Sequence, residues 1–175
     1  MGFSVTITSS IVLIAIFALA VSLLITTFQG LRDMSHVAEE YISREKEKLN
    51  VALQLEVYPI NATACNVTVR NIGSQTVFFE DQSGFKWNTI IVSYGNSSFW
   101  TTYQIEDYVI SEVRVSGTDY SFTPRSHPYI EAGEEAYIVF NIPEGAPEIP
   151  INGLVSVVFV SHYGAIAKAE AVRKQ

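Results

Sequence analysis

The chain has 175 residues, of which 48% are hydrophobic, and its formal net charge is −7. Nucleic-acid binding depends on clustered Lys and Arg side chains, so this acidic balance argues against a nucleic-acid partner. A single cysteine, Cys65, excludes an intrachain disulfide. Because it alternates with Val67 and Val69, we expect it to be a small buried side chain.

The chain begins with a long uncharged segment. No charged residue occurs between Gly2 and Leu31, and the run from Ile11 to Ile25 is almost entirely apolar. A helix of about 20 apolar residues crosses a hydrocarbon core of about 30 Å. We therefore predict a transmembrane anchor over residues 1–30. Its lipid-facing side chains include Ile11, Leu13, Ile16, Phe17 and Leu23. A cleaved signal peptide is the alternative, but no Lys or Arg precedes the apolar run and the run is long for one.

Residues 31–49 continue the helical pattern as a charged stalk. Glu40 and Arg44 form an i, i+4 pair in the favourable order, and no proline interrupts the segment. Its apolar stripe is interrupted at Ser35 and Glu45. The segment therefore fits a solvated stalk and a partner-binding or homodimeric coiled segment about equally well.

From residue 50 to residue 175 the hydrophobic period changes from 3.6 to 2. Eight or nine short strands follow, separated by turn residues, which predicts an antiparallel β-sandwich of immunoglobulin-like type. A closed barrel is the alternative. Within this domain we expect Val109, Val113 and Val115 to share one strand face. We also expect a Pro-rich loop over 123–133 and a central strand within 154–163.

The side of the membrane on which this domain lies is a separate question. Basic residues follow the anchor and none precedes it, which by the positive-inside rule would place the domain in the cytoplasm. That rule weakens for long tails, and three glycosylation sequons begin at Asn61, Asn66 and Asn96. All three are expected at accessible positions, so we place the domain outside the cytoplasmic membrane.

No catalytic or cofactor-binding pattern stands out. The three histidines share no metal-binding spacing, and the sequence has no nucleophile elbow and no Gly-rich phosphate loop. Paired acids occur only at expected turns or strand starts. We therefore predict a protein that is not an enzyme and needs no cofactor or metal.

The stretch from Phe85 to Tyr108 is dense in aromatic residues. Strand alternation predicts that Trp87 or Trp100 is buried. Phe99 and Trp100 are adjacent on a predicted strand, so they should point to opposite faces and leave one exposed. Exposed aromatics beside Tyr and Thr are typical of protein interfaces. Phe99, Trp100 and Tyr103 are therefore candidate interface residues.

Two stretches resemble a known family. They are the opening MGFSVTITSSIVLIAI and the ending VSVVFVSHYGAIAKAEAV. Together with the order of helix, stalk and β-domain, they resemble the archaeal FlaF proteins of the archaellum motor, with FlaG proteins as close rivals. The resemblance implies a non-enzymatic stator in the cytoplasmic membrane. Its immunoglobulin-like domain would lie on the outer side, bind S-layer protein, and pair with itself or a FlaG-like partner.

Two other functions remain open at this point. Archaeal pilins and archaellins also carry an apolar N-terminal helix, but their basic leader has no counterpart before this one, which disfavours a filament subunit. The aromatic residues also permit an extracytoplasmic module that binds a glycan or another small ligand.

Overall fold

The computed structural model describes residues 2–80 and 83–174, with side chains described from residue 7 onward in the first helix. The chain divides into two units, Met1–Glu45 and Lys46–Gln175. The first unit is helical, and the second consists mainly of β-strands.

Helix α1 runs from Gly2 to Asn50. It contains no proline, and the hydroxyls of Thr26 and Thr27 donate to the carbonyls of Ser22 and Leu23 one turn earlier, so these two polar groups are satisfied within the helix. By length and composition it is the one helix in the described residues able to cross a membrane. Its predicted anchor side chains all project outward: Ile11, Leu13, Ile16, Phe17 and Leu23 are 62–70% exposed.

Eleven strands follow in the described residues. They are β1 (Leu53–Pro59), β2 (Ala64–Asn71), β3 (Val77–Phe78), β4 (Thr89–Gly95), β5 (Trp100–Ile105), β6 (Tyr108–Val115), β7 (Ser121–Phe122), β8 (Tyr129–Ile130), β9 (Glu134–Asn141), β10 (Leu154–Val160) and β11 (Ile166–Val172).

The long strands form two antiparallel sheets. One sheet has the order β1-β2-β9-β6-β7 and the other the order β11-β10-β4-β5, while β3 and β8 pair as a separate ribbon. The predicted antiparallel β-sandwich is confirmed. The closed barrel is wrong, because no ladder among the described residues joins one sheet to the other.

Alternating side chains from both sheets fill the core between them. Val67 and Val69 from one sheet and Val157 and Phe159 from the other are fully buried. Cys65 is also fully buried, as predicted, and burial raises the pKa of its thiol to about 12. β10 lies between β11 and β4, which confirms the central strand expected there.

Strand β6 departs from the predicted pattern. Its pairing with β9 shifts register between Ile110 and Glu112, so a β-bulge reverses the alternation. Val113 is therefore buried, whereas Val109 is 67% exposed. The expectation that both share one face is wrong for this reason.

The Pro-rich loop also contains more structure than expected. Within residues 123–133 lies β8, which pairs with β3 through Val77–Ile130 and Phe78–Tyr129. A two-residue strand has no alternation that a sequence pattern can detect.

Candidate interaction surfaces

The β4–β5 hairpin places the predicted interface residues. A Cβ at Gly95 would lie 2.1 Å from the Phe99 carbonyl oxygen, so only glycine allows this close turn. Asn96 Oδ1 accepts the backbone N–H groups of Ser98 and Phe99, at 2.8 and 3.3 Å. These contacts fix the side-chain directions along β5.

The hairpin separates the three aromatic candidates. Phe99 packs against the core, and Trp100 is 53% exposed, which confirms that the two point to opposite faces. Tyr103 lies on the inner face and stacks on buried Tyr94, with ring centroids 6.1 Å apart. Trp100 alone therefore presents its ring to solvent, and its role as an interface residue stays a prediction.

Trp100 belongs to a row of apolar side chains on the outer face of the four-stranded sheet. In register, Trp100 lies opposite Gly95, Gly95 opposite Leu154, and Leu154 opposite Val172. Leu154 is 36% exposed and Val172 47% exposed. We call Trp100, Gly95, Leu154 and Val172 the outer row. The exposed apolar side chains of this row are those of Trp100, Leu154 and Val172, and an exposed apolar surface of this kind suits contact with another protein.

A second aromatic surface was missed in the sequence. Its rings form a continuous series of contacts, and we call it the aromatic stripe: Phe122, His127, Tyr129, Phe78, Trp87, His162 and Tyr163. Trp87 in this stripe is 45% exposed. The expectation that Trp87 or Trp100 is buried is wrong, because Trp87 lies outside the strands and Trp100 faces outward.

The aromatic stripe borders a cleft of about 710 Å³, which we call the aromatic cleft. Its lining residues are Phe78, Glu80, Ser83, Gly84, Trp87, Arg125, Pro128 and Tyr129. They come from the segment after β3 and the segment around β8. Only the pairing of β3 with β8 brings these segments together, so no local signal in the sequence identifies the cleft.

Asn88 holds the segments around the cleft in place. Its buried amide Nδ2 donates to the Phe78 carbonyl at 2.8 Å, and its Oδ1 accepts the His162 backbone N–H at 3.0 Å. The backbone N–H groups of Phe79 and Trp87 donate to the carbonyls of Pro128 and Phe79, each at 2.9 Å. Hydrogen bonds from the buried Asn88 amide and from the backbone therefore hold together the segments that form the walls of the aromatic cleft.

His162 packs against the Trp87 ring. The two rings meet edge to face with centroids 5.2 Å apart, and Phe78 lies 6.1 Å from the same imidazole. Burial lowers the pKa of His162 below its usual 6.5, against a smaller opposing effect from the Phe78 carbonyl. The imidazole is therefore neutral at pH 7 and acts as a packing group.

His127 lies at the other end of the aromatic stripe. Its Nε2 is 2.9 Å from Glu134 Oε2, which also accepts the Glu131 backbone N–H at 2.8 Å. Phe122 stacks on the imidazole with centroids 4.6 Å apart. These contacts brace the 123–134 segment. Among the described residues, no group of three or more His, Cys, Asp or Glu side chains is placed to hold a metal ion.

The three sequons differ in accessibility. Asn61 and Asn96 are exposed and lie in turns, where each side-chain oxygen accepts two backbone N–H groups. Asn66 lies on the half-buried outer face of β2, and its Oδ1 is buried without a hydrogen-bond partner among the described residues. The structure therefore favours two of the three sites.

No protein-family model and no curated protein sequence matches this chain. Solved structures do. A chain of the archaeal flagellum of Methanospirillum hungatei strain JF1 is similar over 96% of this chain and 93% of its own, at 12% identity and a TM-score of 0.62.

Two structures from Sulfolobus acidocaldarius are also similar. The archaellum periplasmic stator protein complex of FlaF and FlaG matches 68% of this chain and 87% of its own, at 12% identity and a TM-score of 0.43. The stator protein FlaG matches 69% and 99%, at 10% identity and a TM-score of 0.44.

These similarities concern the fold. An N-terminal helix of membrane-spanning length, followed by an antiparallel β-sandwich, is an architecture that this chain shares with the Methanospirillum hungatei flagellum chain. The fold that the sequence resemblance implied is confirmed by the Methanospirillum hungatei flagellum chain, which matches this chain over nearly its whole length.

Proposed function

We propose that this protein is a membrane-anchored, non-enzymatic adaptor of the archaellum motor. Its helix lies in the cytoplasmic membrane, and its β-sandwich on the outer side binds S-layer protein and a FlaG-like partner or a second copy of itself. In this way it braces the motor during swimming. The similarity to archaellum folds and the opening sequence support this proposal.

The observation that carries the proposal is the exposed apolar half of α1. No described residue covers it: the most apolar 18-residue window of the described helix is 0% buried. Exposing this surface to water costs a free energy of about 25 cal/mol for each Å² of apolar area. In lipid this cost is absent. A brace must resist torque, so it needs a fixed attachment at each end, and this helix provides one.

The β-sandwich provides the other attachment. The exposed turns at Asn61 and Asn96 support an outer-side location, because glycosylation requires accessible acceptor sites. Trp100 and the outer row supply an apolar surface with one large aromatic residue, which is the composition of an interface hot spot. We assign protein contact to this surface.

Co-sedimentation tests the proposal. Full-length protein in lipid nanodiscs is mixed with isolated S-layer sheets, and we expect it to pellet with them. Trp100→Ala should weaken pelleting about tenfold or more, as truncation of a hot-spot residue does. Tyr120→Ala is the matched control, since Tyr120 is an exposed aromatic (77%) in the turn after β6. Absence of pelleting by the unmodified protein would contradict binding to the S-layer.

One observation favours a second candidate, a filament subunit. The similarity to the Methanospirillum hungatei flagellum chain extends over 96% of this chain and therefore includes the helix. N-terminal sequencing and shearing of cells separate the two candidates. A processed N-terminus on protein recovered in sheared filaments supports the subunit, and an unprocessed start in the membrane fraction supports the adaptor.

A further inference from the structure

We propose that the aromatic cleft binds carbohydrate, namely a short oligosaccharide segment of the cell-envelope glycans. The inference rests on the proposed outer-side location and names a second, chemically distinct contact with the envelope. It concerns a different surface from Trp100 and the outer row.

The first argument is the arrangement of the aromatic rings. Phe78 lies 6.4 Å from Trp87 and 5.6 Å from Tyr129, with interplanar angles of 51° and 57°. Phe78 and Trp87 are 39% and 45% exposed, so both present ring surface to the cleft. Tilted rings offer separate flat platforms, and the apolar C–H face of a pyranose matches such a platform in size and polarity.

The second argument is the polar rim. Glu80 and Arg125 line the same cleft as the three rings. A carboxylate only accepts hydrogen bonds and a guanidinium only donates them, whereas sugar hydroxyls do both. A carbohydrate therefore satisfies both groups and the rings together. A lipid chain would leave the charged groups unpaired, which is unfavourable.

Charge and shape argue against two other ligand classes. The sequence from Leu49 onward has 13 acidic and 7 basic residues, so it repels polyanions. An extended peptide commonly docks by adding a strand to a sheet edge. The strands beside the cleft, β3 and β8, are only two residues long, which is too short a template for an added strand.

The third argument is preorganisation. Asn88 links the Phe78 and His162 segments, and the neutral His162 ring fixes the plane of Trp87. A cleft that is rigid before binding loses little conformational entropy when the ligand enters. Its volume of about 710 Å³ lies within the range of about 300–1,000 Å³ usual for small-molecule sites and leaves room for more than one sugar ring.

The test uses Trp87 as the reporter. The chain has two tryptophans, so Trp100→Phe leaves Trp87 alone. Full-length W100F protein in phosphatidylcholine nanodiscs, built on a scaffold protein without tryptophan and free of sugar-based detergent, is titrated with oligosaccharides released by hydrazinolysis from envelopes of the source organism. We expect a saturable change in Trp87 emission, reversed on dilution.

Substitutions in the cleft make the test specific. Arg125→Ala and Phe78→Ala should each weaken binding about tenfold or more, and Tyr120→Ala should leave it unchanged. Arg125 is exposed, so its substitution should not prevent folding even if the aromatic variant does. An emission unaffected by millimolar oligosaccharide, or unchanged affinity in the Arg125 variant, would overturn the proposal.

Sedimentation with native and chemically deglycosylated S-layer sheets separates this proposal from the proposed function. Loss of pelleting after deglycosylation, together with loss in the Arg125 variant, supports carbohydrate binding. If deglycosylated sheets pellet the protein equally well, the carbohydrate proposal fails and the adaptor stands. If the oligosaccharides bind but neither kind of sheet does, S-layer binding fails and the carbohydrate site stands.

Discussion

His162 meets Trp87 edge to face, with ring centroids 5.2 Å apart, although the two residues are 75 positions apart in the chain. His162 lies in the turn between β10 and β11, and its backbone N–H donates to Oδ1 of Asn88, the residue that follows Trp87. The half-exposed Trp87 ring is thereby contacted by His162 on one side and by Phe78 on another. The β10–β11 turn and the segment before β4 thus act as one structural element, and the aromatic cleft depends on their contact.

Protonation of His162 should destabilise the β-sandwich. Its folded-state pKa lies below the unfolded value near 6.5, so the unfolded chain binds the proton first, and stability falls as the pH drops through about 6.5. His162→Phe keeps a ring against Trp87 and removes the titration. We expect this variant to lose less stability than the unmodified protein between pH 7 and pH 5, measured by denaturant unfolding of nanodisc-embedded protein.

His36→Gln is the control for that comparison, since His36 lies exposed on α1. It should follow the unmodified protein across the whole pH range. Identical pH profiles for the His162 variant and the unmodified protein would show that the half-buried imidazole does not resist protonation.

Two buried tyrosines provide a matched pair for hydrogen bonding. The Tyr94 hydroxyl donates to the Pro147 carbonyl at 2.6 Å, and burial raises its pKa to about 12, so it remains a donor. The Tyr108 hydroxyl is buried without a hydrogen-bond partner in residues 2–80 and 83–174. Tyr94→Phe should lower the unfolding free energy by about 1 kcal/mol, and Tyr108→Phe should not lower it.

Chemical denaturation of the two full-length variants measures both values. Equal destabilisation by the two substitutions would mean that the Tyr108 hydroxyl has a partner or that the Pro147 contact contributes nothing. The two substitutions are comparable because each removes one hydroxyl oxygen from a buried tyrosine ring.

Glycan occupancy should differ among the three sequons. Asn61 and Asn96 occupy exposed turns, whereas Asn66 lies among neighbouring side chains on β2. If the domain folds on the outer side, Asn61 and Asn96 should be modified more fully than Asn66, as measured by glycopeptide mass spectrometry. Higher occupancy at Asn66 would imply modification before the strand forms, and absence at all three would remove the support that the sequons give to an outer location.

Charged residues at the centre of the anchor should weaken its retention in the membrane, whereas charged residues at its end should not. Leu13→Arg with Phe17→Arg places two charges on one helix face in mid-span, at roughly 2.5–3.5 kcal/mol each on insertion scales. We expect this double variant to be released from membranes by alkaline carbonate. Gly30→Arg with Leu31→Arg is the control, because charges beside Arg32 reach the interface and should leave the protein in the membrane.

Alternation and turn residues predict the long strands well, because most long strands bury one face, and β10 is apolar on both faces as a central strand should be. The same reasoning buries Cys65 and places Phe99 and Trp100 on opposite faces, but it does not say which of the two is exposed. It fails at Val109, where a bulge reverses the faces, and at β7 and β8, which are too short to show a period. The aromatic cleft was beyond reach for a different reason: Phe78, Trp87 and Tyr129 meet only through long-range pairing.

Cross-linking mass spectrometry on intact, motile cells tests the central claim most directly. A short amine- and acid-reactive reagent is applied, the full-length protein is recovered from the membrane fraction, and linked peptides are identified. An anchored adaptor should give links from residues 50–175 to S-layer protein and to motor components, with Trp100→Ala reducing the links near β5. Links only among copies of this chain in extended arrays, or none to any protein outside the cytoplasmic membrane, would contradict the account.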